Sequence, residues 1–145
     1  MALLSPFIAL TALGVAAWAM VMAWPQKDET VQPSAESKVK VCAAFDTVGR
    51  AVQLQTHADL GPDPAAQTAV AANARLSLIG GGEYLLSRLD DQTSPELADA
   101  VRSFANNLDD IGMNALAGAT NEDPQQSARL TAGEAGRNNI AELCK

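Results

Sequence analysis

Three dipeptides constrain this chain more than any other feature: Asp63-Pro64, Ser94-Pro95 and Asp123-Pro124. Each sets a short polar side chain before a proline. At the head of a helix the polar oxygen can accept an otherwise orphaned backbone N–H. Proline has no N–H to lose at the first helical position, and its φ is already helical. The dipeptides are spaced 31 and 29 residues apart, room for one helix and a short link each time. The segments between them share no further pattern, which argues against a solenoid repeat.

Helices are therefore expected over residues 64–89, 95–117 and 124–144, preceded by a first over 37–55 on the stripe Val41, Phe45, Val48 and Val52. The third has the cleanest spacing: Leu97, Val101, Phe104, Leu108, Ile111 and Ala115 step by four and three, and Gly118 suits its C-terminal cap. The fourth is weak, with Leu130, Ile140 and Leu143 as its larger anchors among alanines and glycines. In the second, Gly80, Gly81 and Gly82 each cost about 1 kcal/mol against alanine. The apolar phase from Val70 to Leu89 runs through them unbroken, which predicts a continuous helix with a neighbour crossing close by. Four helices with short links predict an up-down-up-down four-helix bundle, residues 37–145.

Ahead of the bundle, Met1 to Trp24 carries no charge and is long enough to span a bilayer. The whole chain then reads as all-α: an N-terminal transmembrane helix (1–24), a tether (25–36) holding Pro25 and Pro33, and the bundle. Ala17-Trp18-Ala19 resembles a signal-cleavage site, yet no basic residue precedes the apolar run and the run continues past it, so an uncleaved anchor is expected. Ser5, Ala9, Ala12, Ala16, Ala19 and Ala23 form a heptad seam of small residues. Such stripes let helix backbones approach in lipid, so the seam predicts docking on a transmembrane protein partner or on a second copy.

Cys42 and Cys144 stand at opposite ends of the bundle sequence. In an up-down-up-down topology those ends coincide, so one disulfide is expected, and with it an oxidising compartment. Lys27, Lys38 and Lys40 follow the span and by the positive-inside rule pull the other way. The cysteines are given precedence: a single-pass plasma-membrane protein with an extracytoplasmic domain. Counting from a Cys42–Cys144 bond, Gly49 falls level with residue 137, beside Gly136. This predicts a close crossing of the first and fourth helices, which Gly49→Leu would overpack.

Signs of chemistry are sparse. One histidine, His57, excludes most metal sites and catalytic triads, and the paired Glu-x-x-His of di-iron bundles is absent. Haem ligation by His57 and Met113 is considered and set aside for a solvated loop histidine. Asp90-Asp91 and Asp109-Asp110 read as a helix end and a solvated face. The arginines are spread along all four helices, so no anion site stands out. No catalytic residue, metal or cofactor is assigned, and a net charge of −7 argues against nucleic acid as a partner.

The stretches CAAFDTVGRAVQLQTHADLG (42–61), GGGEYLLSRLD (80–90) and IGMNALAG (111–118) resemble alanine-rich, single-pass mycobacterial membrane proteins. The resemblance implies an actinobacterial cell envelope and an exported domain, and supplies no activity. The expected function is a non-enzymatic, membrane-anchored accessory subunit of a larger envelope complex, a transporter or respiratory assembly. The alternative is an extracytoplasmic bundle that binds an apolar small molecule or lipid. An apolar pocket would favour the second, and a filled core the first.

Overall fold

The computed structural model describes residues 32–145. The proposed span with its seam (Ser5, Ala9, Ala12, Ala16, Ala19, Ala23) and most of the tether lie outside the described residues. Four helices follow in order: α1 Ala35–Thr56, α2 Pro64–Leu86, α3 Pro95–Leu116 and α4 Pro124–Leu143. Among the described residues there is no helix long and apolar enough to cross a membrane. The described residues are all-α, with α1 packed on α2, α2 on α3 and α3 on α4.

The helix starts carry proline as expected, but the caps differ. Asp63 accepts from the Ala66 N–H at 2.9 Å. Asp123 instead turns back to take the Thr120 N–H at 2.7 Å, and Ser94 makes no side-chain cap bond. Its carbonyl still accepts from the Ala98 N–H. α1 begins at Ala35 rather than Ser37, because Ser34 caps it by accepting from the Ser37 N–H at 3.0 Å. α2 stops at Leu86, short of Leu89. Residues beyond it are drawn into a turn by Arg88 N–H to Leu85 and Leu89 N–H to Leu86.

α2 runs straight through its glycines. A Cβ at Gly81 would stand 2.7 Å from Val48 Cγ1 of α1, and one at Gly82 would stand 2.7 Å from the Ala105 carbonyl oxygen of α3. These two glycines let α2 sit close to a neighbour on each side. Gly80 meets nothing within 4 Å and belongs to no crossing. The α3 stripe is the core: Leu97, Val101, Phe104, Leu108 and Ile111 are all buried, and the first four cluster with Val41, Phe45 and Val48 of α1 and Leu85 of α2.

One end of the bundle is fastened twice. Cys42 and Cys144 are joined by a disulfide, with Cα atoms 5.7 Å apart. Beside it, Asp90 in the α2–α3 link binds the start of α1. Its carboxylate accepts from Lys40 Nζ at 2.8 Å and from the buried Ser37 hydroxyl at 2.7 Å. Ser37 also lies 2.8 Å from the Thr93 hydroxyl. Asp90 is thus a clasp rather than a plain helix end, a role its flanking sequence does not disclose.

The Lys40 ammonium, aided by the Ser37 and Thr93 hydroxyls, holds the Asp90 carboxyl well below the usual carboxylate range. A carboxyl whose pKa is lowered by folding stabilises the fold above its unfolded pKa, about 3.9, and loses that contribution as pH falls toward its folded value. Asp90→Asn is therefore expected to melt below wild type at neutral pH, with the gap narrowing as pH drops below about 4. Thermal melts of both proteins across acid pH check this; a gap independent of pH would mean the ionised carboxylate is not what matters.

Candidate functional site: a groove between the first and last helices

Away from the disulfide, α1 and α4 part. Their expected close crossing is not found. Gly49 has nothing within 4 Å of where its Cβ would stand, while a Cβ at Gly136 would be 3.2 Å from the Phe104 ring of α3. Phe104 also meets Phe45 of α1 edge-on, ring centroids 5.9 Å apart. Two phenylalanines therefore fill the level at which two glycines were expected to touch. Gly136 and Gly133 serve α4's packing on α3 instead, Gly133 facing Asn107 and Ile111.

The result is a groove of about 550 Å³. Leu108 and Ile111 of α3 floor it together with Phe104. Phe45, Val48 and Val52 form the α1 wall, and Leu130 with Gly133 the α4 wall. Gly49 lies between Phe45 and Val52 on the inward stripe of α1 and leaves that wall open. The rim is polar: Asp46, Arg50 and Gln53 on α1, Glu134 and Arg137 on α4. Leu130, expected as an anchor, is 36% exposed, whereas Ile140 is fully buried.

His57 closes the rim at the α1 terminus. Its Nδ1 donates to the Gln53 carbonyl at 3.0 Å. Met113, the other residue considered for haem, is exposed and does not line the groove. Among the described residues there is no group of three His, Cys, Asp or Glu side chains able to hold a metal ion.

Two other polar side chains are buried, in part or in whole, where the sequence gives no sign of it. Asp109 is not simply solvated: it packs against Gly82, and its Oδ1 is buried without a hydrogen-bond partner among the described residues. Burial, reinforced by the charges of Glu83 and Asp110, pushes its carboxyl above the usual range. Gln126, unnoticed in the sequence, is buried and donates from Nε2 to the Ile111 carbonyl at 3.0 Å, tying α4 to α3. A glutamine within the first turn after a proline start gives no sign of this, since surface glutamines occupy the same place.

No known protein family, curated protein or solved structure matches the chain.

Proposed function

We propose that this chain is a non-enzymatic, membrane-anchored module of the cell envelope whose helical domain takes an apolar chain, a lipid or similar small molecule, into the α1–α4 groove. The observation that carries this reading is Gly49. A glycine inside a helix costs about 1 kcal/mol against alanine, and no neighbouring atom requires one here. What it does provide is space within an apolar-walled groove whose volume, about 550 Å³, is typical of ligand sites. Residues 1–24 would hold the domain at the membrane, and the Cys42–Cys144 bond supports the extracytoplasmic side, where disulfides persist.

Gly49→Leu separates this reading from a structural role. No atom stands within 4 Å of the Cβ position and Gly49 lines the open groove, so the variant should fold and melt at or slightly above the wild-type temperature, not below it as a tight crossing would require. Filling the groove should cut ligand retention by about tenfold or more. Native mass spectrometry of the full chain released from lipid nanodiscs reads this directly. Equal bound-lipid mass in both proteins would remove the groove from consideration.

The accessory-subunit reading keeps one feature of its own, the small-residue seam, and is compatible with a ligand-binding domain. Ala12→Leu with Ala16→Leu should abolish association in the membrane, whereas Leu10→Ile with Val15→Leu should spare it. Co-purification in mild detergent tests the pair, and equal retention by both would leave the anchor as an anchor only.

A further inference from the structure

The groove's rim has a charge arrangement that its apolar floor does not explain. Arg50 on α1 and Arg137 on α4 border it from opposite walls. Arg137 is engaged along one edge, with Nε and Nη2 donating to Glu134 at 3.2 and 3.1 Å. Arg50 makes no ion pair among the described residues. Asp46, one turn before Arg50, does not pair with it. In a chain of net charge −7, the groove's rim carries two guanidiniums, one from the first helix and one from the last, beside the carboxylates of Asp46 and Glu134.

Resting on the groove reading above, we propose that the occupant is a single-chain amphiphile with an anionic head, a carboxylate or a phosphate monoester. The chain lies along Phe104 and Leu108, and the head sits between the two guanidiniums. Guanidinium presents paired N–H groups that match carboxylate and phosphate oxygens. Arg50 offers its whole donor set, and Arg137 the edge that Glu134 leaves free. Asp46 and Glu134 on the same rim disfavour a head bearing more than one phosphate. A neutral ligand would give neither arginine a role.

The test uses the full chain in native membranes and three photoreactive probes with a diazirine at mid-chain: palmitate, a lysophosphatidate, and the matching long-chain alcohol. Crosslinks are mapped to the peptides spanning 45–57 and 104–111. At least one anionic probe should label these peptides about tenfold more than the alcohol. Arg50→Gln combined with Arg137→Gln should bring that labelling down to the alcohol's level. Both arginines are exposed, so the double variant is expected to keep its helical circular dichroism. The stronger anionic probe distinguishes carboxylate from phosphate. Equal labelling by the alcohol, or labelling indifferent to the arginine variants, overturns the headgroup assignment and leaves the groove standing. Absence of groove labelling by every probe, or labelling that Gly49→Leu does not reduce, overturns both.

Discussion

Removing the Cys42–Cys144 bond is expected to destabilise the domain by up to about 4.7 kcal/mol. The bond joins residues 102 apart in sequence, so it excludes most of the open conformations of the unfolded chain. That is a large part of the roughly 5–15 kcal/mol that holds a domain of this size together. The fold adds a second reason. α1 and α4 do not pack along their lengths, so the bond is the chief tie between first and last helices. Cys42→Ser with Cys144→Ser, or wild type in reductant, should show a denaturant midpoint well below that of the oxidised protein. α4 should exchange its amide hydrogens fastest, since once the bond is gone it packs chiefly on α3. A midpoint unmoved by reduction would mean that the Asp90 clasp and Ile140 suffice to hold that end.

Part of this fold is legible along the chain and part is not, and the division is physical. Helix number and helix starts are local properties: a polar residue before proline acts on its own first turn. The α3 stripe is legible because one helix, packed on both sides, must bury one whole face. Cys42 and Cys144 are legible because helix count decides which ends coincide. The glycines are different. Gly49, Gly80, Gly81, Gly82 and Gly136 look alike in sequence, yet Gly81 and Gly82 face α1 and α3, Gly136 faces Phe104, and Gly49 and Gly80 face no atom within 4 Å. What a glycine is for depends on the neighbour it lacks a side chain against. The groove was hidden for the same reason. Counting from the disulfide gives a level but not a separation, and the separation is set by the Phe45–Phe104 pair. Arg50 and Arg137, 87 residues apart by subtraction in the sequence, share a rim only because α1 and α4 diverge around it.

Ile140→Ala is expected to cost about 2–5 kcal/mol, the usual range for emptying a fully buried aliphatic site. α4 is mostly alanine, glycine and polar residues, so little else fastens it. Its buried residues are Gln126, Gly133 and Ile140, and of these only Ile140 brings a large apolar side chain into the core, in one cluster with Val41, Phe45 and Val101. The site cannot easily collapse onto the cavity, because the adjacent disulfide holds the ends of α1 and α4 where they are. Leu130 is the matched control. It belongs to the same helix and has the same carbon count, but it lines the groove and is 36% exposed. Leu130→Ala should therefore cost far less stability than Ile140→Ala while weakening ligand retention. Chemical denaturation of the two variants, alongside the lipid-retention measurement, gives opposite rankings if α4 has one face for folding and another for binding. A Leu130→Ala variant as destabilised as Ile140→Ala would mean that the groove is closed and packed in solution.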